Sequence, residues 1–295
     1  MSKLIGRESE ITWIESVLQA GRHVLLEGPV GSGKTSLAVF VAKQNGRKVV
    51  RVDGDGRFTE QKLVGSFDPK LVLEWGFTEA AFLPGPLYLA MKSGSVLLVN
   101  ELNRMPEMVQ NVLLPALDEG FIQVPHIGQI QAAPGFCLIA TQNPREFVGT
   151  SPLGEALLDR LEWISIPYLD EAQEVEIAKL SVTASSPAVL SAVFLAVRLV
   201  RLTRNHPHIK RGASIRAAQS LLEIFIKSLE STNPEVHSND SPEFDDLFWR
   251  AARMALANRI ELQTSKFSAQ SFERSLDEIL ADLRNRLQDE LKKKT

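Results

Sequence analysis

Gly28-Pro29-Val30-Gly31-Ser32-Gly33-Lys34-Thr35 is the stretch that decides the fold. It fits the pattern G-x-x-x-x-G-K-[ST]. Its surroundings fit as well. The apolar run His23-Val24-Leu25-Leu26-Glu27 precedes it and reads as a buried strand, and Lys34 to Gln44 follows as a helix. Each residue type has a physical reason. The glycines let backbone N–H groups turn inward around phosphate oxygens, and the helix N-terminus behind them adds partial positive charge. Lys34 can reach β- and γ-phosphates, and the Thr35 hydroxyl can ligate Mg²⁺. The expected ligands are ATP and Mg²⁺, held by Gly28, Pro29, Val30, Gly31, Ser32, Gly33, Lys34, Thr35 and the adjoining Ser36.

Around this loop, strands and helices alternate. Glu8 to Gln19 carries Ile11, Ile14, Val17 and Leu18 at helical spacing. Lys48 to Asp53, Ser95 to Asn100, Phe136 to Gln142 and Trp163 to Ile166 read as further strands, and a helix is expected from Pro106 to about Leu117. That alternation predicts a parallel sheet covered by helices on both faces. After Pro167 the pattern changes. Ala188–Arg204, Ser214–Ser228, Phe244–Ile260 and Ser271–Lys292 read as helices with no strand between them, and Ser231 to Asp246 reads as a polar loop. The expected fold class is therefore α/β. A P-loop nucleotide-binding domain over 1–168 is followed by a smaller all-α lid domain over 169–295. The last helix carries a seam of Phe272, Leu276, Ile279, Leu280, Leu283 and Leu287, expected to pack on the helical domain, with a partner-binding face as the alternative.

Composition narrows the function classes. The chain of 295 residues carries 33 Lys and Arg against 36 Asp and Glu, a net charge of −3, without the basic footprint of a sequence-independent nucleic-acid binder. The longest uncharged apolar stretch, Pro187 to Val197, falls short of the ~20 residues a bilayer requires. No signal peptide opens the chain, so a soluble, cytoplasmic protein is expected. The single cysteine, Cys137, sits in an apolar run and reads as core.

The strand Ser95 to Asn100 ends Val99-Asn100-Glu101. P-loop NTPases place a Mg²⁺-holding Asp at such a strand end. Here Asn100 stands in its place, with an amide oxygen that can accept from metal-bound water but no charge. Losing one charge-assisted hydrogen bond is worth ~1–3 kcal/mol. Glu101 suits the activation of an attacking water.

With these residues in view, the chain resembles the MoxR family of AAA+ ATPases. The carrying segments are Asn100-Glu101-Leu102-Asn103-Arg104-Met105-Pro106, Ala140-Thr141-Gln142-Asn143-Pro144, Leu158-Asp159-Arg160 and Gly212-Ala213-Ser214-Ile215-Arg216-Ala217. The resemblance runs from Ile5-Gly6-Arg7-Glu8 to the helices near Arg259. It implies that Asn143 is the first sensor, orienting water near the γ-phosphate. It implies that Arg160 is an arginine finger reaching a neighbouring subunit's nucleotide, and that Arg216 is the second sensor on the helical lid. Such fingers are worth ~10³–10⁵ in rate in other phosphoryl-transfer enzymes. The family forms rings, typically hexamers. It often works with a partner carrying a von Willebrand factor A domain to remodel, mature or activate a client complex. Ile215, Gly154, Leu157 and Leu161 depart from the family's usual residues, which bears on fine geometry around the second sensor and the finger.

Three functional readings are open. The first is an ATPase ring that remodels, assembles or activates a client. The second, motivated by Asn100, is a nucleotide-gated assembly module with little hydrolysis. The third, a DNA-acting motor, is disfavoured by the charge balance. His206-Pro207-His208 reads as a loop, not a metal site, and Asp53-Gly54-Asp55-Gly56 as a turn. Phe121 to Ile130 reads as a hairpin and a candidate contact surface.

Overall fold

The first unit of the chain, Met1–Tyr168, is built on a five-stranded sheet; the second comprises Leu169–Thr295. The computed structural model describes residues 4–144, 152–182, 186–231, 241–263 and 272–293.

The sheet strands are β1 (His23–Glu27), β2 (Val49–Asp53), β3 (Val96–Asn100), β4 (Cys137–Gln142) and β5 (Leu161–Ser165). They lie in the order β2-β3-β4-β1-β5, and every pairing is parallel. Side chains alternate between the two faces, and both faces are buried. Val24, Leu26, Val96, Leu98 and Ile139 pack with Leu37, Ala38 and Val41 of helix Lys34–Gln44. Leu25, Leu97, Val99, Leu138 and Ala140 pack on the other side with Leu87 and Met91 of helix Pro86–Ser93. Burial on both faces explains the nearly unbroken apolar runs of the central strands. The register aligns Glu27 with Gln142 and Asp53 with Asn100. Polar residues thus gather at the C-terminal edge of the sheet, where ligands bind in open α/β folds.

Two features of this unit differ from the sequence expectation. The helix expected from Pro106 to Leu117 is two short ones, Glu107–Asn111 and Leu114–Asp118. Pro106 precedes the first with an extended ψ of 142°, and Pro115 lies in the first turn of the second, lacking the N–H that would bond back into the first and make one continuous helix. Between β2 and β3 lies an insertion that the sequence reading left unassigned. Its antiparallel pair Gly65–Phe67 and Phe82–Pro84 flanks helix Pro69–Trp75. The expected hairpin is present as Phe121–Val124 paired with Gly128–Gln131. It meets the insertion where His126 stacks on Phe77, with ring centroids 4.2 Å apart.

The second unit holds helices Glu171–Lys179, Pro187–Arg204, Ile215–Glu230, Pro242–Leu256 and Phe272–Lys292 around one apolar core. Ser186 caps the second of them, accepting from the Val189 N–H at 3.3 Å, with Pro187 in the first turn. The unit is not purely α-helical. Ile209–Arg211 pairs antiparallel with Glu261–Leu262, which corrects the expectation of no strand. The polar loop expected to Asp246 ends sooner, because Ser241 caps a helix starting at Pro242. Residues 232–240 and Ser271 lie outside the described residues. The last helix buries Leu276, Ile279, Leu280, Leu283 and Leu287 in the unit's core, as its seam predicted, whereas Phe272 is exposed. Among the described residues no helix is long and apolar enough to cross a membrane.

Candidate functional site

The site is assembled where β1, β3 and β4 end. After β1 the chain turns through Gly31 and Gly33, whose φ values of 78° and 92° lie in the left-handed region. Gly33 is the N-cap of helix Lys34–Gln44, so the loop's amides and the helix's positive end converge. Gly28 is required for a different reason. A Cβ there would stand 2.1 Å from the Ile166 carbonyl oxygen. The loop is also braced from outside. The buried Arg7 guanidinium donates to the carbonyls of Ser32 at 3.0 Å and Pro167 at 2.6 Å.

Lys34 is only 7% exposed. Its ammonium donates to the carbonyls of Gly28 (2.7 Å) and Pro29 (2.9 Å) and to Asn143 Oδ1 (3.1 Å). Asn143, just past β4, donates from Nδ2 to Glu101 Oε1 at 3.3 Å. Glu101 in turn accepts from Arg104 through Oε2 at 2.8 Å. Lysine, amide and carboxylate therefore form one connected path. Glu101 sits at φ 55°, ψ 50°, a left-handed conformation that is uncommon for a residue with a Cβ. Backbone strain of this kind is worth about 1–3 kcal/mol and concentrates at functional sites. Here it turns the carboxylate off the strand end toward Asn143.

A second path starts at Thr35. Its hydroxyl donates to Asn100 Oδ1 at 2.6 Å, as does the Thr141 hydroxyl at 2.9 Å. Asn100 Nδ2 donates to Asp53 Oδ1 at 2.9 Å. Thr141 Oγ1 also accepts from the Glu101 backbone N–H at 3.0 Å, linking the two paths. Hydrogen bonding from Arg51 holds the Asp53 carboxyl below the usual carboxylate range, with a smaller contribution from Asn100. Beside Thr35 and Ser36 opens a cavity of about 530 Å³, walled also by Val39, Phe40, Lys43 and Arg51.

A hydroxyl and an amide oxygen are hard donors suited to Mg²⁺. Among the described residues no cluster of three His, Cys, Asp or Glu side chains could cage a metal. Mg²⁺ commonly takes one or two protein ligands and completes its shell with water and substrate phosphates. Thr35 and Asn100 beside the phosphate loop fit that arrangement.

The AAA domain of the dynein-related subfamily matches residues 23–161, which span β1 to the start of β5 and every residue of both paths, while the bracing Arg7 lies before it. The chain belongs to the AAA+ ATPases. Its resemblance to the MoxR family agrees with this match. The gas vesicle ATPase GvpN of Haloferax mediterranei is 33% identical over 227 residues, covering 70% of this chain and 64% of that protein. The chain thus spans under two thirds of that relative's length. A crystal structure of a candidate ATPase from Cytophaga hutchinsonii superposes with a TM-score of 0.50 at 23% identity, over 94% of this chain and 90% of that one. NtrX from Brucella abortus, in complex with ADP, superposes with a TM-score of 0.55 at 16% identity, over 95% and 70%. Both structural likenesses concern the fold.

Within this AAA+ chain, Lys34, Thr35, Asn100, Glu101 and Asn143 come together. Arg160 stands outside that group; its guanidinium holds Asp118 at 2.8 Å and the Ala156 carbonyl at 2.6 Å. Arg216 is exposed in the first turn of helix Ile215–Glu230 in the second unit. Arg7, Asp53 and Thr141 were not singled out from sequence as site residues. Their roles depend on contacts to residues far along the chain, which no local spacing signals. Cys137 is buried in the core, and burial raises its thiol pKa. His206 is buried against Asp282, with Nε2 at 2.7 Å from Oδ2.

Proposed function

We propose that the protein hydrolyses ATP as a subunit of a ring and uses the cycle to remodel, assemble or activate a client protein complex. The observation that carries the reading is the connected path Lys34–Asn143–Glu101 beside Thr35 and Asn100. The name of the gas vesicle relative, an ATPase, and the ADP of the NtrX structure support nucleotide chemistry on this fold.

In this reading the loop amides and Lys34 hold the β- and γ-phosphates, with the Lys34 ammonium exchanging the Gly28 and Pro29 carbonyls for phosphate oxygens. Thr35 and Asn100 hold Mg²⁺, which when bound neutralises charge developing on the phosphates. Asn143 orients a water, and Glu101 takes its proton as the water oxygen attacks the γ-phosphorus. The bond to the bridging oxygen breaks, ADP leaves, and inorganic phosphate carries the new oxygen. Arg160 completes the site of a neighbouring subunit, and Arg216 acts from the lid. The MoxR resemblance implies a hexameric ring and a von Willebrand factor A domain partner, and the reading places the protein in the cytoplasm.

ATP turnover against protein concentration, with Mg²⁺ present, tests the reading. Turnover per subunit should rise with concentration as rings form, and Arg160→Ala should abolish the rise. Constant turnover per subunit over a hundredfold range would refute completion of the site in trans. The second reading, a nucleotide-gated assembly module, is favoured by one observation, the uncharged Asn100 at the metal end. Tight ATP binding that drives assembly without turnover is its signature.

A further inference from the structure

We propose that Asp53 supplies, through Asn100, the negative charge that residue 100 lacks, and is the positioning residue of the metal end of this site. The inference rests on the nucleotide-binding reading above.

The two residues are register partners on adjacent parallel strands, although 47 positions separate them in sequence. Their strand ends are clamped. The Gly54 N–H donates to the Asn100 carbonyl at 2.7 Å, and a Cβ on Gly54 would stand 2.2 Å from the Glu101 carbonyl oxygen. Only glycine lets the chain after Asp53 lie this close to Asn100 and Glu101.

The amide of Asn100 has a donor end and an acceptor end, and only the acceptor end can face a cation. Asp53 accepts from Nδ2, while the hydroxyls of Thr35 and Thr141 donate to Oδ1. Flipping the amide would set its oxygen against the Asp53 carboxylate and its NH₂ against both hydroxyls. Asp53 thereby fixes the oxygen toward Thr35, on the side where the phosphate loop lies. The carboxylate also polarises the amide, and hydrogen bonds linked in such a chain strengthen one another. A directly bound Asp would act at shorter range, and Coulomb attraction falls with distance. The arrangement thus retains a metal-directed charge in a weaker form. Arg51 donates to Asp53 at 2.7 Å and holds that carboxylate in place beside Asn100.

The test uses the full-length protein, a non-hydrolysable ATP analogue, and Mn²⁺ as the metal, read by the loss of its free-ion electron paramagnetic resonance signal. Analogue affinity in EDTA is measured in parallel. Asp53→Asn keeps the size and one acceptor oxygen, the number that Arg51 and Asn100 use, but removes the charge. It should weaken Mn²⁺ retention about tenfold, the scale of one charge-assisted hydrogen bond. Analogue affinity in EDTA should stay within about twofold. The swap Asp53→Asn with Asn100→Asp, which returns the charge to the other strand, should restore retention to the original level or above. Unchanged retention in Asp53→Asn overturns the proposal. So does an equal loss of analogue affinity in EDTA, which marks a structural role, or a correctly folded swap, with unaltered circular dichroism, that fails to rescue. Wild-type protein that binds analogue and Mn²⁺ without turnover would overturn the hydrolytic reading while leaving this one standing.

Discussion

Replacing Glu101 by Gln separates the two jobs of the site. Glu101 touches Asn143 at 3.3 Å and Arg104 at 2.8 Å, whereas the contacts proposed to hold nucleotide belong to Lys34 and Thr35. Glutamine has the same length. Its carbonyl can still accept from one of the two neighbours, so the folded state loses about one hydrogen bond, worth ~1 kcal/mol. The proton acceptor, however, is gone. General-base catalysis is worth about 10²–10⁴ in rate, or ~2.7–5.5 kcal/mol at ~1.36 kcal/mol per tenfold. Phosphate release at saturating ATP should therefore fall by at least about a hundredfold. Affinity for a fluorescent ATP analogue should stay within about threefold, because no nucleotide contact has been removed. Both measurements belong at a protein concentration where wild-type turnover per subunit has levelled off. Arg104→Ala is the contrast. Arg104 is half exposed and its ion pair lies at the surface, worth no more than ~1 kcal/mol, so kcat should change less than about fivefold. If Glu101→Gln retains more than a tenth of wild-type kcat, Glu101 is not the base. If affinity falls in step with kcat, the residue holds the loop together and does not act on water.

Three further outcomes are expected. Lys34→Ala should reduce nucleotide affinity about a hundredfold, since it removes charge-assisted hydrogen bonds to two phosphates, and isothermal titration checks this; a change under fivefold would remove Lys34 from the phosphate site. Glu174 is 2% exposed and holds Arg201 at 2.9 Å and Arg204 at 2.8 Å. Glu174→Ala removes the buried carboxylate that holds both arginines and should destabilise the second unit by ~3–5 kcal/mol in urea unfolding, with a loss below 1 kcal/mol refuting the buried-pair argument. Burial lowers the His206 pKa against the opposing pull of Asp282, with Arg286 and His208 also disfavouring its charge. A neutral histidine in the folded state binds fewer protons than the same residue unfolded. Its contribution is therefore full above the ordinary histidine value near 6.5 and is lost as pH falls through the lowered one. The urea midpoint of the second unit should drop between pH 7.5 and pH 5, and His206→Gln should flatten that drop; an unchanged slope would show that Asp282 cancels the effect of burial, and a steeper one that it outweighs it.

The parallel sheet was legible because each central strand is an apolar run flanked by turn or helix signals, and because Gly28 to Thr35 fixes the turn and the helix start after β1. The long helices of the second unit were legible from their period. The elements that escaped reading are short. The pair Ile209–Arg211 and Glu261–Leu262 has too few residues to show alternation, and its strands are far apart in the chain. The antiparallel pair and helix Pro69–Trp75 between β2 and β3 are elements of three to seven residues, none long enough to display a face. The break at Pro115 was in principle readable, since proline disfavours a continuous helix. Phe272 was placed in the seam on spacing alone, but it stands at the first turn, where the core no longer reaches.

The same division runs through the site. Lys34, Thr35 and Glu101 carry local signatures: a glycine loop, a helix start, the end of an apolar strand. Asn100 was conspicuous as a departure from the pattern, and read alone it implies a weakened metal site. Its environment changes that inference. Strand order puts β2 beside β3, register puts Asp53 beside Asn100, and Gly54 permits the close approach. None of these three facts is local in sequence. Position 100 should therefore be judged together with position 53. A carboxylate placed at 100 while Asp53 remains would put two like charges within hydrogen-bond distance, where one of them resists ionisation. The single substitution Asn100→Asp is thus not a simple repair, and the exchange of both residues is the change that preserves the charge of the site.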